Sequence, residues 1–266
     1  MSDGTMRTGG VDLAAENKGT ALAVIEWTPD RARLEQLSLD VDDAEITEVA
    51  AGVARLGIDC AFGWPDEFVG FVTAHADLAQ PQTPDGGMAW RRTLAYRETD
   101  RQVRERSGRW PLSVSTDRIG LTAMRCAGLL GRLAGSGLVV DRSGRDGAVV
   151  EVYPGATLRV WKWEMRGYRS DPEVRRSLVQ RMRREAPWFE LGARAELMVE
   201  STDAFDAVVA ALAARAAATG RYDPPPAEHQ ERAEREGWII LPSCPLGELL
   251  HWPSTESPAG ATRTAR

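Results

Sequence analysis

Three acidic residues stand where acids are costly. Asp12 lies between Val11 and Leu13, Asp59 between Ile58 and Cys60, and Glu151 between Val150 and Val152, each inside a short apolar run. Asp203 and Asp206 add two more, three residues apart in DAFDAVVAAL, a spacing that puts both on one helix face. A buried carboxylate without a partner is strongly unfavourable or takes up a proton. A shared cation resolves the conflict, and hard divalent ions prefer oxygen donors. His75, His229 and His251 are scattered, so the donor set favours Mg2+ or Mn2+ over Zn2+. Two such ions roughly 4 Å apart can clamp the attacking and leaving oxygens of a phosphodiester. Each acid alone also has a plainer role. Asp203 suits a helix first turn, Asp12 or Asp59 could end a strand and cap a turn, and Glu151 could salt-bridge an arginine.

The elements that must position these acids follow from periodicity and turn residues. Residues 9–14 and 19–27 read as strands joined by a short linker, hence antiparallel. Residues 33–39 form a third strand, in which Leu34, Leu37 and Leu39 slip by one residue, as at a bulge. Asp42 or Asp43 caps a helix with Ile46, Val49, Ala50 and Val53 on one face. Residues 58–62 form a strand that, after one helix, lies parallel to the first. Helices are expected over 67–78, over part of 91–109, and over 117–134. A strand at 148–153 stops at Pro154. Asp171 and Pro172 open a helix to about residue 185, and Ser201 or Thr202 opens another through 218. Residues 80–87 and 223–236 read as loops, and 237–241 as a last short strand.

The chain has 266 residues, no repeat and no evident linker, which favours a single domain over residues 9–252 with flexible ends at 1–8 and 253–266. Apolar residues make up 43% and charged residues 27%, which excludes collagen-like, coiled-coil and disordered classes. No apolar run approaches the roughly 18 residues of a membrane span. Cys60, Cys126 and Cys244 are widely spaced without a CxxC pair, and no secretory pattern opens the chain, so a reducing cytoplasm is expected. The net charge of −6 means that any contact with nucleic acid uses a local patch. Residues 91–109 hold seven arginines against Glu98, Asp100 and Glu105. A second cluster comprises Arg175, Arg176, Arg181, Arg183 and Arg184. Either could hold phosphates, or be a solvated helix face. Trp90, Tyr96 and Trp110 near the first could stack bases. No phosphate-binding GxxxxGK[ST] loop and no GxSxG elbow is present.

The stretches GVDLA (10–14), GIDCAFGWP (57–65), RETD (97–100), EVYPGA (151–156), DAFDAVVAAL (203–212) and EGWIILP (236–242) resemble domain of unknown function 429. That is a family of predicted nucleases in the ribonuclease H-like superfamily. The acidic helix is similar to the last catalytic helix of RuvC-type resolvases. The resemblance implies a three-layer α/β fold with a mixed five-stranded sheet, an antiparallel meander followed by parallel strands. It makes Asp12, Asp59 and Asp206 the metal ligands, with Asp203 and Glu151 as supporting catalytic acids. Arg97, Asp100 and Arg101 become candidate substrate-binding residues. The implied activity is Mg2+- or Mn2+-dependent hydrolysis of DNA or RNA. The alternatives are a catalytically silent binding module and an ATP-dependent phosphotransferase of the actin-like relatives. The last would need two copies of the fold and glycine-rich phosphate turns. The ligand acids are expected to meet at one end of the sheet, about 4–7 Å apart.

Overall fold

The computed structural model describes residues 4–78 and 86–251. The elements in chain order are β1 (Met6–Asp12), β2 (Ala21–Trp27), β3 (Ala32–Leu39), α1 (Asp43–Gly52), β4 (Arg55–Asp59), α2 (Asp66–Ala76), α3 (Gly87–Ala95), α4 (Glu98–Ser107) and α5 (Gly120–Gly135). Then come β5 (Val149–Val152), α6 (Pro154–Val160), α7 (Pro172–Glu185), β6 (Phe189–Glu190), α8 (Arg194–Glu200), α9 (Thr202–Ala218), α10 (Gln230–Glu236) and β7 (Ile239–Ile240). The seven strands form one mixed sheet in the order β6-β3-β2-β1-β4-β5-β7. β1, β2 and β3 pair antiparallel; β4, β5 and β7 continue parallel from β1, and β6 lies parallel to β3.

The sheet is therefore larger than the five strands expected. The short strand anticipated at 237–241 pairs as β7, and β6 closes the far edge. Each has two residues, too few to carry a period. The meander carries its bulge where the leucine slip falls: Val24 pairs Gln36 and Ile25 pairs Leu34, which leaves Glu35 as the extra residue. Asp42 caps α1 through its carboxylate, Asp171 caps α7, and Ser201 caps α9.

Three further expectations are corrected. The expected frayed start already joins the sheet at Met6, and Thr8 is buried, its Oγ1 donating to the Ala211 carbonyl at 3.0 Å. The fourth strand begins at Arg55 and ends at Asp59 rather than spanning 58–62. Residues 223–236 are not all loop. They contain α10, which buries only Ala233 and Glu236 and so shows almost no apolar stripe. Most of the 80–87 segment and residues 253–266 lie outside the described residues.

Helices cover both faces. α1 and α5 pack Ile46, Ala50, Cys126 and Leu129 against Val11, Leu22, Leu56 and Ile58. On the other face Phe205, Val208 and Leu212 of α9 pack against Ala23, Ile25 and Trp27, with α6, α7 and α8 around them. From Ala204 to Ala217 every residue of α9 is buried, which is why, Asp206 and Arg215 aside, this stretch is apolar all round. Among the described residues, no helix is long and apolar enough to cross a membrane.

Candidate functional site

Asp12 ends β1 and Asp59 ends β4, and the two are register partners in the parallel pairing of these strands. Side chains alternate along a strand, so Asp12 turns to the same face as Thr8 and Gly10, and Asp59 to the same face as Gly57. That is the α9 face. Gly10 and Gly57 are themselves register partners, two residues upstream of the acids. A Cβ at Gly10 would stand 2.1 Å from the Ala211 nitrogen, and one at Gly57 would stand 2.6 Å from the Ala210 carbonyl oxygen. Only glycine lets α9 settle this close to the sheet. The helix then presents Asp203 in its first turn and Asp206 one turn later, next to the strand ends.

Asp206 is 3% exposed. Its Oδ2 accepts a hydrogen bond from the Tyr168 hydroxyl at 3.2 Å, while its buried Oδ1 has no hydrogen-bond partner among the described residues. Two cations act on it: Arg169, whose Nε donates to the same hydroxyl at 3.4 Å, and, more weakly, Arg175. Arg175 holds this loop in place. Its guanidinium donates to the Tyr168 carbonyl at 2.6 Å and the Val199 carbonyl at 2.7 Å, and the Thr202 hydroxyl donates to the Arg169 carbonyl at 3.0 Å.

These surroundings disfavour negative charge. Burial, with a smaller push from Asp203, lifts Asp206 to about 7 against the opposing pull of Arg169 and Tyr168. Burial lifts Asp12 well above the ordinary carboxylate range, and Asp59, Asp206 and Asp203 add to the rise. Asp59 rises for the same reasons, burial first and Asp206 second. Asp203 rises mainly through burial. By surface area Asp12 and Asp59 are only half-buried, but they sit in a cleft of about 250 Å³ lined also by Tyr153, Arg118 and Arg169. The four acids thus share one electrostatic neighbourhood, in which Arg169 lowers all four and Arg175 lowers Asp203 and Asp206. Among the described residues, no three Asp, Glu, His or Cys side chains stand together as a ready metal-holding group. The unpartnered Oδ1 and the excess of acids over cations are nonetheless what a hard divalent ion would satisfy.

Glu151 borders the same cleft and adds to the rise of Asp59, but it reaches the cleft from the other face of the sheet. It pairs in register with Ile58, which packs on the α1–α5 face, so its side chain leaves the sheet on the side opposite Asp59. There it takes the plainer role of an ion pair with an arginine. Arg97 donates to its two oxygens at 2.7 and 2.9 Å, and the Phe62 amide donates at 2.9 Å. Arg97 borders the cleft that holds Asp12 and Asp59, and its donors are committed within the protein. Arg97 and Asp100 are both buried, and the Arg97 guanidinium spends its donors on Asp100, Glu151 and the Glu236 carbonyl. Arg101 pairs with Glu98 at 2.9 Å. The second arginine cluster divides: Arg175 is buried, Arg176 pairs with Glu196 and Arg181 with Glu185, while Arg183 and Arg184 are exposed.

Residues 10–231 match the model of the family described as "Protein of unknown function (DUF429)". The chain belongs to the DUF429 family. No curated protein and no solved structure matches it. The DUF429 span holds all four clustered acids together with Arg97 and Glu151. Glu236 and β7, which complete the Arg97 network, follow after it.

Sequence reasoning missed Tyr168 and Arg169. They lie on the irregular stretch between α6 and α7, where no period marks a position as special. Tyr153 carried a weak signal, since it belongs to the EVYP stretch. Burial and then Asp59 push its phenol above its ordinary range.

Proposed function

We propose that this DUF429 chain is a divalent-metal-dependent nuclease of ribonuclease H-like architecture, with Asp12, Asp59 and Asp206 as metal ligands and Asp203 beside them. The observation that carries the reading is Asp206. A buried carboxylate with an unpartnered oxygen, facing two more acids at adjacent strand ends, is an arrangement that folding alone does not favour. A strand-meander, helix, parallel strand and late acidic helix in this order also supports the superfamily assignment, as an analogy of fold.

Asp12, Asp59 and Asp206 would hold Mg2+ or Mn2+. When bound, such ions neutralise a phosphodiester's charge and make water a stronger nucleophile. The protein's own groups do the remaining work. The Tyr168 hydroxyl fixes the orientation of Asp206 through Oδ2, which leaves Oδ1 to bind. Arg169 keeps the cluster from taking up further protons, as it lowers the carboxyls that burial raises. An Asp206 carboxyl at about 7 releases its proton near neutral pH, when a cation arrives.

The test is a set of four melting curves, wild type and Asp12→Asn, each with and without 1 mM Mn2+, beside cleavage assays on single-stranded, duplex and branched substrates. Mn2+ should raise the wild-type Tm by mass action. Asp12→Asn should be no less stable than wild type without metal, and should lose both the Mn2+ shift and cleavage. A wild-type Tm indifferent to Mn2+, with no cleavage, would leave a catalytically silent binding module as the better reading.

A further inference from the structure

The acidic cleft does not end at its own walls. It shares Leu112, Arg118, Tyr153 and Arg169 with a larger groove of about 750 Å³ that runs between the 109–118 segment, the start of α6 and the 163–169 loop. We infer that this groove is the track for one strand of nucleic acid, with its phosphates held by Arg118, Arg159 and Arg166 and a base stacked on Trp110. The inference rests on the nuclease reading of the acid cluster and adds the form of the substrate.

The charge pattern argues first. Arg109, Arg118, Arg159 and Arg166 line the groove, and none makes a side-chain hydrogen bond or ion pair among the described residues. Elsewhere arginines are commonly spent on acids, as in Arg7–Glu35, Arg125–Asp43, Arg232–Glu67 and Arg235–Asp66. Glu164 is the one acid on the groove's lining. In a chain of net charge −6, an uncompensated set of guanidinium groups on one concave surface is a local anion-binding feature.

Shape and aromatic content select the form. Trp110 is 42% exposed, and its ring is braced by Tyr96 at a centroid distance of 4.2 Å. A large aromatic face held ready at the rim suits stacking with any base. A concave cleft of several hundred Å³ encloses small molecules or a few nucleotides. A flexible strand can follow such a path, whereas the phosphates of a rigid duplex are spread around a cylinder. The far wall is preformed, because Arg175 and Thr202 anchor the loop that carries Arg166 and Arg169.

The two regions also divide the labour. The arginines attract the backbone without any metal, while the bare acids repel it. Strand binding therefore persists in EDTA and depends on the groove, and cleavage depends on the acids.

The experiment is fluorescence anisotropy in EDTA with a labelled DNA strand of about 12 nucleotides, its RNA counterpart, and the blunt DNA duplex. At least one strand should bind roughly tenfold tighter than the duplex. The double variant Arg159→Gln/Arg166→Gln should weaken strand binding about tenfold or more. It should also lower the slope of log K against log salt by about 1.4, at about 0.7 per lost contact. Trp110→Ala should weaken it roughly fivefold or more. The exposed control Arg183→Gln/Arg184→Gln on α7 should change it less than about twofold. Duplex binding as tight as either strand, no binding of either strand, or equal loss in groove and control variants would overturn the proposal. Melting curves confirm that each variant folds, and Arg166→Gln alone at an exposed position serves if the double variant does not. An intact Mn2+ shift with groove-independent binding defeats the groove alone. Groove-dependent strand binding without any Mn2+ shift defeats the metal reading and leaves the groove standing.

Discussion

Two groups of carboxylates flank the same strand ends, one on each side of the sheet. In the first, Glu151, Asp100 and Glu236 have a donor for every oxygen. Arg97 bridges Asp100 and Glu151, the Phe62 amide adds to Glu151, and Glu236 accepts from the Asp66 and Glu98 amides at 2.9 Å each. Those two amides belong to the first residues of α2 and α4, where backbone N–H groups lack helical partners. Gly237, at φ 90°, approaches so closely that a Cβ there would meet Glu151 Oε2 at 2.4 Å. In the second group, Asp12, Asp59 and Asp206 share Arg169, one tyrosine hydroxyl, and an oxygen with no partner. The first group ties α2, α4, α10, β5 and β7 into one edge. The second is left unsettled by its own fold. Charge that the protein neutralises internally is structural; charge left unneutralised is available for a ligand.

The largest expected effect probes the settled group. Arg97→Met removes the one cation and leaves Asp100 and Glu151 buried without it, so urea denaturation should show a loss of about 3–5 kcal/mol. A loss under about 1 kcal/mol would erase the contrast between the groups.

The next prediction concerns pH, without metal. The Asp206 carboxyl lies at about 7 in the folded protein and near 3.8 when unfolded. Between those values the folded state keeps a proton that the unfolded state has released, so stability falls as pH rises through this window. The shift corresponds to a loss of about 4 kcal/mol between pH 4 and pH 8. The measurable form is a difference: Asp206→Asn should lie close to wild type at pH 4–5 and be the more stable protein at pH 8. A difference independent of pH would mean that Asp206 is neutralised in the folded state much as Glu151 is.

A smaller gain is expected for Asp12→Asn. At pH 8 it should be neutral or stabilising by about 1 kcal/mol, because it lowers repulsion in a crowded anionic site. Glu151→Gln, which has the same chemistry in the settled group, should instead destabilise by roughly 1–3 kcal/mol as its charge-assisted bonds to Arg97 weaken. Parallel thermal melts of the two variants read the contrast directly. The smallest effect belongs to Arg101→Ala, which breaks only a half-exposed pair with Glu98 and should shift stability by no more than about 0.5 kcal/mol.

What the sequence determined by itself is local. The caps at Asp42, Asp171 and Ser201, the bulge at Glu35 and the antiparallel meander all follow from residues within a few positions of one another. So does the recognition that Asp12, Asp59 and Glu151 are acids in apolar strands. Their division into two classes is not local. Asp59 and Glu151 have nearly the same neighbours in sequence, and only the register of β4 with β5 turns one toward α9 and the other toward Arg97. That the Arg97 guanidinium is committed to Glu151 and the Glu236 carbonyl is not legible either, because these partners lie 54 and 139 residues away. α10 was hidden because only Ala233 and Glu236 of its seven residues are buried. Tertiary structure decided these points. A strand has two faces one residue apart, and which face meets which partner depends on pairings between distant segments that no local pattern encodes.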